Sequence, residues 1–244
     1  MSAYEPLAAW YDALTQDVDY AAFTDLYERV FRAESGEWRT LLDLCCGTGT
    51  LTCLLAARGY EMIAADASPE MLMQAQSKAA ALPAGSTPPL LLCQRADALD
   101  LYGTVDAAVC SLDGMNYLAP DELRETLRRL RLFIRPGGLF LFDVRTPESF
   151  RALDGSTFVD ETEDVLCLWR ADFDSETGVM RYGMDLFERR GRLWQREREE
   201  HIEYAHTLAW LTQALAAAGF DRVQVLTDTP QYDAGRRFFV ARRA

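Results

Sequence analysis

Leu41-Leu42-Asp43-Leu44-Cys45-Cys46-Gly47-Thr48-Gly49-Thr50 is the stretch that decides the fold. A compact apolar run suited to a strand ends on an acid, passes a glycine turn, and enters an apolar helix over 51–57. Glycine in such a turn lets a ligand come closer to the backbone than a Cβ permits. Gly-x-Gly alone is weak. Its weight comes from the strand before it, the helix after it, and Asp66 at the end of the next strand, where a carboxylate can accept both hydroxyls of a ribose. The nicotinamide dinucleotide fingerprint asks for Gly or Ala three residues after its second glycine, where this chain has Thr52, and it usually opens its domain. Both details lean away from NAD.

Outward from this turn the pattern repeats. Apolar positions at helical spacing over 7–10 and Tyr20–Ala33 predict two short helices ahead of the first strand. After it come a strand over 61–65 and a helix to about Ala80, with Ser68 as N-cap and Pro69 in the first helical position. Strands over 90–94 and Val105–Cys110 follow, then a helix over 120–132 and Arg135-Pro136-Gly137-Gly138 as a turn into a strand over 139–144. Strands alternating with helices predict a mostly parallel sheet with right-handed crossovers. From about Thr146 the pattern changes: 157–171, 179–188 and 192–204 read as strands joined by hairpins. The α/β pattern resumes with a helix over 207–218 and strands over 222–227 and 237–242. The domain reading is therefore 1–149 with 205–244 as one α/β unit, and 150–204 as an antiparallel insertion.

At 244 residues the chain suits one core, since single cores stop growing at roughly 250–300 residues. No basic and apolar leader opens it and no run approaches the roughly 18 apolar residues of a membrane span, so a cytoplasmic protein is expected. The six cysteines read as reduced thiols, and with two histidines remote from Cys45–Cys53 no zinc spacing is present, so no metal is expected. A net charge of −13 disfavours a nucleic-acid partner, and the basic clusters near Arg128, Arg189 and Arg236 read as solvated faces. Oligomeric state is not legible.

The sequence resembles the class I S-adenosylmethionine-dependent methyltransferases, in particular bacterial members similar to small-molecule and amino-sugar N-methyltransferases. The resemblance rests on Tyr11-Asp12, the Asp-x-x-Cys-Gly-Thr-Gly turn, Asp66 with Ser68-Pro69-Glu70-Met71-Leu72, Asp97, Asp106–Cys110 with Asn116-Tyr117-Leu118, and Pro136-Gly137-Gly138. It implies a Rossmann-like doubly wound sheet with an antiparallel last strand, and S-adenosylmethionine as cofactor. Cys45 departs from it, since many similar sequences have Gly there. By position, Gly47 with Cys45, Cys46, Thr48 and Gly49 would lie against the methionine part, and Asp43 would help hold its ammonium. Asp66, with Ala67 and Met71 nearby, would bind the ribose, and Asp97 with the Ala98 amide would read the adenine. Tyr11 would close over the carboxylate, and Cys110 and Ser111 would line the methyl side. Asn116 and Tyr117 would face the acceptor. Each has a plainer alternative: a helix cap for Asp66 or Asp97, a core aromatic for Tyr11.

Methyl transfer is an in-line displacement that needs an oriented, dry pocket rather than a nucleophilic side chain. A hydroxyl or carbon acceptor would want a base, for which Asp113, Glu199 and His201 are the candidates. Glu199 and His201 flank Glu200 on a strand-like run and so share a face, which makes them candidate acceptor residues, against the alternative of an exposed ion pair. The expected partner is a small molecule. An RNA methyltransferase and a non-catalytic cofactor-binding protein remain alternatives.

Overall fold

The computed structural model describes residues 4–229 and 235–244. Leu7–Ala9 is a 3-10 turn that leads into a one-turn helix, α1 (Tyr11–Leu14), and the longer α2 (Tyr20–Ala33) follows, capped by Asp19, which accepts from the Ala22 N–H at 2.9 Å. Then come β1 (Thr40–Leu44), α3 (Thr50–Ala57), β2 (Glu61–Asp66), α4 (Pro69–Ala80), β3 (Leu90–Cys93), β4 (Val105–Cys110), α5 (Pro120–Phe133) and β5 (Ile134–Arg145). After α6 (Pro147–Leu153) the chain builds β6 (Thr157–Glu161), β7 (Val165–Asp174), β8 (Val179–Arg190) and β9 (Leu193–Tyr204), and it closes with α7 (Leu208–Ala217), β10 (Phe220–Leu226) and β11 (Arg236–Arg243).

Seven strands form one sheet in the order β10-β11-β5-β4-β1-β2-β3, with β11 antiparallel to both its neighbours and the other pairs parallel. Period-two alternation sorts β1 between two cores. Leu42 and Leu44 sit with Leu123, Leu127 and Leu130 of α5 and Leu211 and Leu215 of α7. Leu41 lies on the other face, among Phe23 and Tyr27 of α2 and Leu51 and Leu55 of α3. Each such buried side chain contributes about 1.5–3 kcal/mol. Among the described residues no helix is long and apolar enough to cross a membrane.

β6 to β9 form a separate antiparallel sheet. The stretch 157–171, read above as one strand, is a hairpin, because Thr162 turns the chain back by accepting from the N–H groups of Asp164 and Val165. The helix α6 has no counterpart in the sequence reading. Its Phe150 is fully buried and packs with Phe173, Met180 and Tyr182, which seats the sheet. Leu7 packs on the same sheet at Val165, Cys167, Met184 and Leu186, with Trp10 and Tyr11 against that cluster, so the N-terminal segment touches both units.

Pro136-Gly137-Gly138 is not a turn ahead of a strand. β5 starts at Ile134 straight after α5, and the irregularity is absorbed in the ladder, which slips register between Val105 and Ala107. Gly137 has φ +76°, and a Cβ on Gly138 would stand 2.5 Å from the Asp106 carbonyl oxygen and 2.6 Å from Ile134 Cγ2. Gly138→Ala is accordingly expected to lower stability by about 1–3 kcal/mol, read as a lower urea midpoint with unchanged slope. An unshifted midpoint would show that the backbone there has room.

Candidate active site

β1 pairs with both β2 and β4, so the winding direction reverses at β1 and opens a crevice beyond the strand C-terminal ends. A cavity of about 480 Å³ occupies it. Its floor is the glycine turn. Cys45 takes φ +56°, the left-handed conformation natural to glycine, at a cost of about 1–2 kcal/mol. Gly47 has φ +54° and nothing within 4 Å of a built Cβ, which makes it the cradle wall that a side chain would fill. Its N–H donates to Asp66 Oδ2 at 2.8 Å, while Asp66 Oδ1 accepts from Ser68 N–H at 2.9 Å. Each carboxylate oxygen keeps a lone pair for a ligand hydroxyl.

Asp43 is buried at the end of β1 and accepts from Thr52 Oγ1 at 2.5 Å. Thr52, the departure from the dinucleotide fingerprint, is therefore explained by the acid it holds. Burial raises the Asp43 carboxyl to about 7, with the Thr52 hydrogen bond opposing and Asp66 adding. Elsewhere on the cavity lining Asp97 is clamped by Arg95 at 2.9 and 3.0 Å, and Arg95 also reaches Glu122 at 2.7 Å. Over the top, Asp12 of α1 pairs with Lys78 at 2.6 Å and accepts from Thr48 Oγ1 at 2.7 Å. That latch holds Tyr11 against the cavity.

A second cavity, of about 760 Å³, shares Tyr4, Tyr11, Leu112 and Tyr117 with the first. Its far side comes from the antiparallel sheet through Phe158, Asp160, Trp169, Tyr182 and Glu203. Between the two cavities lies a strained turn: Leu112 and Asp113 have φ +56° and +58°. Asp143, fully buried on β5, accepts from their N–H groups at 2.9 and 3.0 Å. Arg236 of β11 pairs with Asp143 and with Asp113, and Arg145 donates to Asp113 at 2.6 Å. The two guanidiniums hold the Asp113 carboxyl below its usual range against the opposing effect of burial. A carboxylate so engaged is a poor proton acceptor.

The structure brings Tyr11, Asp43, Cys45, Cys46, Gly47, Thr48, Asp66, Ala67, Met71, Asp97, Ser111 and Tyr117 to the first cavity. It does not bring the remaining candidates. Gly49 serves packing, since a Cβ there would stand 2.7 Å from Ala75 Cβ. The Ala98 N–H is spent on the Arg95 carbonyl at 3.1 Å. Cys110 is fully buried. Asn116 is a staple, donating to the Arg145 and Tyr204 carbonyls and accepting from Arg145 N–H. Glu199 and His201 share the inner face of β9 as expected and join at 2.9 Å, but buried rather than as an exposed pair, and they line neither cavity. Tyr4, Arg145, Glu203 and Arg236 were not singled out. Glu203 continues the period-two series of Glu199 and His201, and Arg236 belongs to a basic run read as solvated, yet it is buried.

Residues 41–138 match the family described as a methyltransferase domain. The chain is 31% identical over 251 residues to YqeM of Bacillus subtilis (strain 168), provisionally named a methyltransferase, covering 99% of this chain and 97% of that one. It is similar to the crystal structure of a S-adenosylmethionine-dependent methyltransferase from Clostridium acetobutylicum ATCC 824, with TM-score 0.82, 25% identity and 99% of each chain covered. The sugar N-methyltransferase KedS8 from Streptoalloteichus sp ATCC 53650 aligns with TM-score 0.80 and 26% identity, over 96% of this chain and 92% of that one.

The cradle at Gly47 and the carboxylates at two adjacent strand ends fit the nucleoside and amino-acid ends of S-adenosylmethionine. Asp66→Ala is expected to weaken its binding about tenfold or more by calorimetry, because hydrogen bonds to a charged group are worth about 1.5–3 kcal/mol. Unchanged affinity would remove Asp66 from the site. Asp43 carries a pH signature. Its carboxyl is about 7 folded against 3.8 ordinarily, so folding takes up a proton between those values and its contribution to stability falls as pH rises through that window. Asp43→Asn keeps an acceptor for Thr52 and is expected to gain stability over wild type as pH rises toward 7, then level off. Thermal midpoints across pH check this.

Proposed function

Since the chain belongs to the class I S-adenosylmethionine-dependent methyltransferases, we propose that it methylates a small-molecule acceptor held in its second cavity. The observation that carries this reading is the junction of the two cavities at Tyr4, Tyr11, Leu112 and Tyr117. The bound cofactor supplies a methyl carbon on a sulfonium. The chain's task is to orient an acceptor lone pair toward that carbon and exclude water. Residues 150–204 roof the acceptor side and select what enters, as insertions at strand C-terminal ends do. A relative named for sugar N-methylation supports an acceptor of this size.

At the junction a hydrogen-bonded chain runs through one polarity. Tyr4 OH donates to Tyr117 OH at 2.6 Å, and Tyr117 OH stands 3.4 Å from His201 Nδ1, as a donor if that nitrogen is unprotonated. His201 Nε2 then donates to Glu199 Oε2 at 2.9 Å. Burial pushes the Tyr117 phenol well above its ordinary range, so it works as a fixed hydroxyl rather than a base. Glu199 and His201 are positioning residues that act through Tyr117.

Labelled cofactor incubated with fractionated cell extract tests the function: label is expected in small molecules, and label in RNA or nowhere would overturn the reading. His201→Gln is expected to lower turnover up to about a hundredfold, as a misplaced orienting group does, with cofactor affinity retained. Loss confined to kcat, with acceptor KM unchanged, is the pattern of misorientation. Full turnover would leave the Glu199 and His201 pair a packing feature.

A further inference from the structure

Glu203 is 4% exposed, lines the second cavity, and its Oε2 has no hydrogen-bond partner among the described residues. A buried carboxyl left in this condition is costly unless something else completes it. The groups that face it are Asp113 and Tyr117 from the loop after β4, Arg145 from β5, Arg236 from β11, Tyr182 from β8, and Tyr4. The two cations among them are engaged elsewhere, Arg145 with Asp113 and Arg236 with Asp113 and Asp143. Among the described residues of the cavity lining, Asp17, Asp113, Asp160 and Glu203 outnumber Arg145 and Arg236, and the walls include the rings of Phe158, Trp169 and Tyr182. An excess of carboxylates within aromatic walls is the environment of a bound cation.

We infer that Glu203 is the acceptor-binding carboxylate of this cavity, the partner of a primary or secondary amine that arrives as its ammonium ion. The inference rests on the second cavity being the acceptor site, and it adds the substrate class. A neutral alcohol gives the ionised Glu203 no compensating charge and so leaves the carboxyl protonated, whereas an ammonium stabilises its ionised form. Burial pushes the Glu203 carboxyl well above its usual range, Asp113 adds to this, and Arg145 and Arg236 oppose it. Such a carboxyl competes for the ammonium proton. Proton transfer to Glu203 leaves a neutral amine with a free lone pair. The nitrogen forms its bond to the methyl carbon as the carbon–sulfur bond breaks, and that electron pair stays on sulfur. The methylated ammonium leaves, and the Glu203 proton passes to solvent. An ammonium and a sulfonium thus become a methylated ammonium, a thioether and one proton.

The test uses the full chain loaded with S-adenosylhomocysteine, with 2-amino-2-deoxyglucose and glucose as matched probes. The Glu203 carboxyl carbon resonance is assigned by its loss in Glu203→Gln. The amino sugar is expected to move that resonance toward the ionised form and to bind at least about tenfold tighter than glucose. Glu203→Gln is expected to abolish the preference, and Glu203→Asp to retain part of it, with S-adenosylhomocysteine affinity unchanged in both as the control for folding. A resonance unmoved by the amino sugar, or a preference that survives in Glu203→Gln, overturns the assignment. Methyl-transfer assays run in parallel separate the two readings. Label passing to neutral small molecules in wild type and Glu203→Gln alike overturns the amine class and leaves a small-molecule methyltransferase standing; label passing to RNA overturns both.

Discussion

The buried carboxylate of Asp143 is the point on which both cavities depend. Leu112 and Asp113 are successive non-glycine residues in the left-handed region, each at a cost of about 1–2 kcal/mol. Asp143 accepts from both N–H groups, and hydrogen bonds to a charged acceptor contribute about 1.5–3 kcal/mol apiece. The strain is therefore offset where it arises. The turn so held sends Ser111 toward the first cavity, Asp113 toward the second, and sets Leu112 between them. An ionised Asp143 in the core would itself be prohibitive without Arg236, which β11 delivers from its antiparallel position beside β5. Replacing such an ion cluster by apolar residues often costs a fold nothing, so its value lies in setting the geometry of the turn.

The α/β half was legible because its signals are local. A strand, a glycine turn and a helix occupy consecutive residues, and the acid at the end of the next strand is placed by the period of the fold. Even there Gly49 and Ala98, read as cofactor contacts, have local structural roles that the sequence does not reveal. Gly49 is a glycine because Ala75 presses on it, and the Ala98 N–H closes a 3-10 turn. A glycine that admits a ligand and one that admits a neighbouring helix look identical in sequence. Arg236 was misread for the opposite reason. A basic run near the end of a chain is usually solvated, and its burial depends on Asp113 and Asp143, about a hundred positions away.

The antiparallel half is harder to read because its polar residues are sorted by sheet face rather than by motif. On β9, Glu199, His201 and Glu203 face inward opposite Met184, Tyr182 and Met180. On the other face Asp185 sits among Arg170, Arg196 and Arg198. The alternation shows that two sets exist, yet only the packing of Leu7 and Phe150 against this sheet decides which set is enclosed.

That sorting also separates what stabilises the chain from what it is built to recognise. The outer carboxylate is fully paired, while the inner face keeps two oxygens without a partner among the described residues, Glu199 Oε1 and Glu203 Oε2. Each such group costs about 1–3 kcal/mol, a large share of a typical margin of about 5–15 kcal/mol. A fold under no functional demand would replace both with apolar side chains that match the methionines opposite. Only one of the two lines a cavity, and the other is tied through His201 to the tyrosine that lines both. Of the two unpaired groups, Glu203 is thus the one on a cavity wall, where a ligand can complete what the fold leaves open.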